Sequence, residues 1–215
     1  LNDNNIFNIQ PGQFDGLHSL HTLDISSNEI SSLTGLNDIP TLRYLDASSN
    51  SLMEIYDHTF PVDMKPNLVY LDFSVNEIAT IDEGAFNGLI QLERLRLSNN
   101  KITNASALFV TFPKLIHLDL KYNEITSIAS MQNLNASRLK RLDFDNNALT
   151  EVVGSQLASL DYDTELNFKA NSINTVDLQG VQFKTMSFEE NQISVVKSLP
   201  NCDMYVVFES EARES

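Results

Sequence analysis

The sequence predicts an α/β solenoid in which short parallel strands stack into one curved sheet on the concave side and an irregular, short-helical chain forms the convex side. Three observations predict it. Asparagine recurs at Asn4, Asn28, Asn50, Asn76, Asn100, Asn123, Asn147, Asn171 and Asn191, at intervals of 20 to 26 residues. An apolar frame, L-x-x-L-x-L-x-x-N-x-I, accompanies it, as in Leu20, Leu23, Ile25, Asn28, Ile30 or Leu115, Leu118, Leu120, Asn123, Ile125. Between frames, "IQPGQFDGL", "IDEGAFNGL" and "LFVTFPKL" bring Phe14, Phe86 and Phe112 to similar places, with Phe60 as a fourth. A period of this length marks units that cannot bury their apolar side alone and must stack. About nine repeats, the first and last incomplete, fill residues 1–210 as one domain, with 211–215 as a tail.

Each element follows from its residues. Within "LDL" or "LRL" the apolar residues alternate at period two, so one face of a short strand is buried and the intervening residues point outward. Where the chain then bends inward, backbone groups lose their sheet partners, and an amide that both donates and accepts can satisfy them. The asparagines form such a ladder. The connecting segments are too short and too interrupted by glycine and proline for long helices. Strands repeat at about 4.8 Å and helices at about 8–10 Å, so mixed short turns outside a sheet give a moderate curve with the sheet inside it.

The right end is less regular. Asp163 stands where a leucine is expected, the last interval shortens, and Phe183, Met186 and Phe188 replace leucines. Aligning "PNCDMYVVFES" with "PKLIHLDLKYN" puts Cys202, Tyr205 and Val207 in core slots and Ser210 in the asparagine slot.

The frame resembles the leucine-rich repeat family over nearly the whole chain. Copies such as "IDEGAFNGLIQLERLRLSNNKI" are similar to the typical repeats, about 24 residues long, of extracellular animal proteins, including Toll-type receptor ectodomains and secreted leucine-rich immune proteins of insects. The resemblance implies a right-handed horseshoe that recognises protein or microbial ligands in innate immunity or adhesion. The cysteine-rich end caps usual in such proteins are absent from this sequence, and "LNDNNI" opens in mid-repeat, so a fragment of a longer receptor or an unusual end is expected.

Composition narrows the partners. With 29 acidic and 14 basic residues the formal net charge is −15, which disfavours nucleic acid and anionic membrane surfaces. The expected partner is a protein that is neutral or basic overall, or acidic only where it meets a local cationic patch. Homo- or hetero-oligomers are compatible with the pattern. No apolar run reaches the roughly 18 residues of a membrane span. Cys202 is the single cysteine, so no internal disulfide framework exists.

Catalytic chemistry is not assembled. His18, His21, His58 and His117 share no metal-binding spacing, and no glycine run cradles phosphate. Asp143 and Asp145 with Asn146 could hold calcium, but Asp143 repeats the slot of Asp24, Asp46, Asp72 and Asp119 and reads as a solvated carboxylate. The expectation is a non-enzyme with neither cofactor nor metal. Asn104 and Asn135 open glycosylation triplets on loops, compatible with secretion.

The outward strand positions carry the functional signal. One row runs Thr22, Tyr44, Tyr70, Arg94, His117, Arg141, Glu165, Thr185, and the next Asp24, Asp46, Asp72, Arg96, Asp119, Asp143, Asn167, Ser187. Tyr44 and Tyr70 thus precede Arg94, Arg96, His117, Lys121 and Arg141 along a strip about 40 Å long. Tyrosine and arginine are favoured at binding hot spots, so these seven residues form the candidate ligand face. Arg94 and Arg96 look free of structural duty. A protein-recognition module, receptor ectodomain or secreted protein, is the leading reading. An intracellular scaffold or enzyme regulator, suited to a lone cysteine, is the alternative.

Overall fold

A computed structural model describes residues 1–198 and 205–207. Its strands, in chain order, are β1 (Thr22–Asp24), β2 (Tyr44–Asp46), β3 (Glu54–Ile55), β4 (Tyr70–Asp72), β5 (Thr80–Ile81), β6 (Arg94–Arg96) and β7 (His117–Asp119). They continue with β8 (Arg141–Asp143), β9 (Glu151–Val153), β10 (Glu165–Asn167), β11 (Thr175–Asp177), β12 (Thr185–Ser187), β13 (Val195–Ser198) and β14 (Tyr205–Val207). One nine-stranded sheet, ordered β1-β2-β4-β6-β7-β8-β10-β12-β14, lines the concave side, and all its pairs are parallel and in register. The chain is therefore a leucine-spaced solenoid in which each coil adds one strand.

The middle residue of each concave strand from β1 to β12 faces the core: Leu23, Leu45, Leu71, Leu95, Leu118, Leu142, Leu166 and Met186 are all buried. The strands stop after three residues because the chain turns sharply. Asp3, Ser27, Ser49, Val75, Asn99, Tyr122, Asn146, Ala170 and Glu190 all have φ between 52° and 56°, and each immediately precedes a ladder asparagine. This left-handed step costs an L-residue roughly 1–2 kcal/mol and is easiest for asparagine among side-chain-bearing residues. Val75 is branched at Cβ and half exposed, so nothing in the core repays its strain. Val75→Asn should raise stability by about 1 kcal/mol and the melting temperature by roughly 2–4 °C. A scanning calorimetry midpoint at or below that of the parent would refute the strain.

The turned chain is then held by the asparagines. The Asn100 carboxamide oxygen accepts the Ile78 N–H of the preceding coil at 2.9 Å, while its NH2 donates to the carbonyls of Phe73 and Leu97 at 2.9 and 3.0 Å. Asn28, Asn50, Asn76, Asn123, Asn147, Asn171 and Asn191 repeat the arrangement, each accepting from the residue two after the previous asparagine. Away from the sheet, Phe60, Phe86 and Phe112 are buried in sequence with ring centroids 6.3 and 6.5 Å apart. Phe144, Phe168 and Phe188 form a second stack at 5.7 and 5.3 Å.

The convex side is made of 3-10 turns, one single-turn α-helix at Gly154–Leu157, and short strands that the sequence reading did not foresee. β9, β11 and β13 form a parallel sheet of three and β3 and β5 a pair. Each of these strands contains an aliphatic residue five places after a ladder asparagine, at Ile55, Ile81, Val152, Val176 and Val196. The coils also approach closely here: a Cβ on Gly35 would lie 2.5 Å from the Ile9 carbonyl oxygen, and one on Gly154 2.5 Å from that of Gln179. Among the described residues no helix is long and apolar enough to cross a membrane.

Two expectations about the right end change. β12 pairs with β14 as Thr185↔Tyr205, Met186↔Val206 and Ser187↔Val207. Val206, rather than Tyr205 or Val207, is therefore the register partner of the core residue Met186. The inferred alignment had slipped by one residue, which exchanges the two faces of a strand. Cys202 and Ser210 lie outside the described residues. At the irregular coil Asp163 is exposed, and Thr164 is buried instead, its hydroxyl donating to the Leu139 carbonyl at 2.9 Å.

Candidate binding surface

The sheet register assembles the two outward rows as the repeat spacing orders them. Thr22, Tyr44, Tyr70, Arg94, His117, Arg141, Glu165 and Thr185 are consecutive partners across the sheet, and so are Asp24, Asp46, Asp72, Arg96, Asp119, Asp143, Asn167 and Ser187. Residues 20 to 163 positions apart in the chain thus form one strip. What the rows do chemically differs from place to place.

On β1, β2 and β4 the second-row aspartate closes the strand. One oxygen of Asp24 accepts both the backbone N–H and the hydroxyl of Ser26, at 3.0 and 2.6 Å, and Asp46 with Ser48 and Asp72 with Ser74 do the same. The Ser26 hydroxyl bond, followed by its N–H bond, holds the Asp24 carboxyl below its ordinary value. Arg96 interrupts this row, so Ser98 has no aspartate two residues before it.

Arg96 is not free of structural duty. Its guanidinium reaches back to the nearly buried Asp72 carboxylate at 3.2 Å, which also accepts the Tyr70 hydroxyl at 2.8 Å. Burial, and then this bond to Asp72, raises the Tyr70 phenol above its usual value. Arg94, two residues earlier on the same face, is exposed, and among the described residues no ion-pair or side-chain hydrogen-bond partner meets its guanidinium. It borders a shallow hollow with Tyr44, Val69, Tyr70 and Glu93. A second hollow beside it is lined by Thr22, Leu23, Asp24, Tyr44, Asp46 and Tyr70.

His117, Lys121 and Arg141 converge on Asp143. Its carboxylate is fully buried and takes His117 Nε2 at 2.8 Å, Arg141 Nε at 2.8 Å and the Asn167 amide at 2.6 Å, with Lys121 Nζ at 3.6 Å. The expectation of a solvated aspartate is therefore wrong, because Arg141 on its own strand and His117, Lys121 and Asn167 from the two adjoining coils seal it. Burial alone would raise this carboxyl, but the bonds from His117, Arg141 and Asn167 and the charge of Lys121 outweigh it and hold it well below the usual carboxylate range. Asp145 goes the other way: burial raises it, and the nearby Asp143 charge adds to the rise. One Asp145 oxygen accepts the Lys169 N–H at 2.9 Å. Both carboxylates are thus occupied by protein donors, and among the described residues no group of three or more His, Cys, Asp or Glu is placed to hold a metal. Arg141 is further tied to Glu165 at 3.1 Å.

The seven candidate residues consequently separate into two sets. Tyr44, Tyr70 and Arg94 line open hollows, whereas Arg96, His117, Lys121 and Arg141 are neutralised by Asp72 and Asp143. Asp72, Asp143 and Asn167 were missed as organisers of the face. The one local clue was Asn167 breaking a row of carboxylates. Asn104 and Asn135 are exposed away from this strip.

Comparison with known proteins agrees with the geometry. Residues 1–52 match the family model described as leucine rich repeat, and residues 66–110 a model of leucine-rich repeats in two copies. Lumican of Gallus gallus is 32% identical over 108 residues, covering 49% of this chain and 30% of lumican. The chain thus spans under a third of that relative. Among solved structures, the Toll–Spätzle complex of Drosophila superposes with a TM-score of 0.75 at 22% identity, over 89% of this chain and 27% of that one. The TLR13–ssRNA13 complex gives 0.69 at 23%, over 81% and 25%. At these identities the structural likeness is one of fold.

Proposed function

Since this chain is a leucine-rich repeat protein, we propose that it is a non-enzymatic recognition module that binds a protein ligand on its concave sheet, outside the cell. The observation that carries the reading is the outward set of exposed Tyr44 and Arg94 with half-buried Tyr70 between them on an in-register strip. The remaining cations of the strip are spent on internal carboxylates rather than gathered around a reaction cavity. A preformed face of this kind loses little conformational entropy on binding, and aromatic and arginine side chains concentrate binding energy. Similarity to lumican supports the extracellular placement, as does the resemblance of the repeats to Toll-type ectodomains. Expression in secreting animal cells should add glycan mass at Asn104 or Asn135, and an intact mass without it would favour the intracellular scaffold.

The binding test uses a photo-cross-linking residue at Tyr44 and, as control, at the exposed Gln132 of the convex side. Cross-linking to one defined partner from position 44 and not from 132 is expected. Arg94→Glu should then leave the denaturation midpoint unchanged and weaken that partner at least tenfold, about 1.4 kcal/mol or more. Unchanged affinity in a titration by calorimetry overturns the concave-face reading. Arg96→Glu is the poorer probe: it sets a carboxylate against Asp72 and damages the fold and the surface together.

A further inference from the structure

Building on the concave-face reading, we infer that the left half of the strip is a dipolar seat for an extended partner segment carrying a basic and an acidic side chain about three residues apart. The basic seat is the hollow over β1, β2 and β4, where Tyr44 and Tyr70 stand beside Asp24 and Asp46. In each aspartate one oxygen is committed to the serine two residues on, and among the described residues the second oxygen has no hydrogen-bond donor. Two ring faces and two free carboxylate oxygens suit an ammonium or guanidinium, which gains from both the π-faces and the charges.

The acidic pole is Arg94. Of the cations on the strip it alone meets no carboxylate among the described residues, since Arg96, His117, Lys121 and Arg141 are all paired. A planar guanidinium without a partner takes a carboxylate bidentately. From β2 through β4 to β6 are two strand spacings, about 9.6 Å, and three residues of a polyproline-II segment, whose period of three returns the side chain to the same face, cover about 9.3 Å. A segment crossing the strands can therefore place a lysine or arginine between the tyrosines and a glutamate or aspartate on Arg94. The same arrangement rejects a purely acidic strand, which would meet Asp24 and Asp46, and so accounts for selectivity on a chain of net charge −15.

The test is a nuclear magnetic resonance titration of the isotopically labelled chain with blocked tetrapeptides. Acetyl-Lys-Ala-Ala-Glu-amide and its reverse order are compared with a charge-free peptide in which norleucine and glutamine replace lysine and glutamate. Saturable shifts at Tyr44, Asp46, Tyr70 and Arg94 are expected for at least one charged peptide, with affinity at least fivefold above the charge-free one. Asp24→Asn with Asp46→Asn keeps the oxygen that accepts from Ser26 and Ser48, so the turns persist, and should abolish most of that advantage. Arg94→Gln should remove a similar part. Equal affinity for charged and neutral peptides, or binding indifferent to these variants, overturns the inference. If the cross-linked partner still loses affinity with Arg94→Glu while the peptides leave the hollow unmoved, only the dipolar chemistry falls. If Arg94→Glu also has no effect, the concave reading itself falls.

Discussion

Asn100→Ala is expected to destabilise the protein by about 3 kcal/mol, and Asn100→Asp by at least as much. The carboxamide is buried and works at both ends. Its oxygen is the acceptor for the Ile78 N–H, and alanine leaves that donor buried and unpaired. The Phe73 and Leu97 carbonyls lose one donor each but keep another, from Asn76 and Asn123. The loss is therefore dominated by one orphaned N–H plus a cavity, each typically worth on the order of 1–3 kcal/mol. Aspartate restores the acceptor for Ile78 but turns a second oxygen toward carbonyls that the amide NH2 had approached at about 3 Å, and a buried carboxylate without donors costs more than a missing amide. Urea unfolding of both variants checks the order. An aspartate variant as stable as the parent would mean that the ladder needs only an acceptor.

The legible part of this fold is what the repeat forces. A period-two apolar pattern inside a frame of constant spacing dictates strand, face and neighbour at once, so the rows through Tyr44, Arg94 and Arg141 follow from counting. The left-handed step before each asparagine was not legible, because aspartate, serine, valine, tyrosine, alanine and glutamate share a position where only backbone geometry is common. The convex strands had a signal, an aliphatic residue five places after the asparagine, but Ala105 at that offset and the varied spacings hid it. At the right end, loss of leucines removed the anchor for the register, and a one-residue slip followed at Tyr205–Val207.

The candidate face was legible in its membership and not in its pairing. Asp143 occupies the slot of Asp24 and Asp46, and within its own coil only Arg141 hints at a sealed carboxylate rather than a half-exposed turn-closing one. The difference lies in His117 and Lys121 one coil before, Arg141 beside it and Asn167 one coil after. Three-dimensional register brings these onto one carboxylate. The same reasoning separates Arg94 from Arg96: the side chain two positions on faces Asp72 across the strand, while Arg94 faces Tyr70 and His117.

Asp143→Ala should cost about 3 kcal/mol at neutral pH, because it leaves Arg141, Lys121 and His117 without their shared carboxylate and the Asn167 amide without its closest acceptor. The lower end of the range for a broken buried pair applies, since the Arg141 side chain is 40% exposed and can rehydrate. The pH dependence identifies the charge. The folded-state carboxyl is held below its unfolded value of about 3.9, so below about pH 5 the unfolded chain takes up a proton that the folded chain refuses. The stabilisation is full above that point and is lost as pH falls toward the folded value. Asp145, raised by burial, acts in the opposite sense: its protonation favours the folded chain as pH falls through its elevated value. The absolute acid slope therefore mixes the two, and because the Asp143 charge itself helps raise Asp145, the informative quantity is the stability gap between Asp145→Asn and the double variant Asp143→Asn with Asp145→Asn, from which the Asp145 titration is removed on both sides. That gap should stay constant from pH 7 to about 5 and shrink below about 4. A gap that persists undiminished to pH 3 in urea titrations would show that hydrogen-bond geometry alone, and not the ionised carboxylate, holds His117, Lys121 and Arg141 in place.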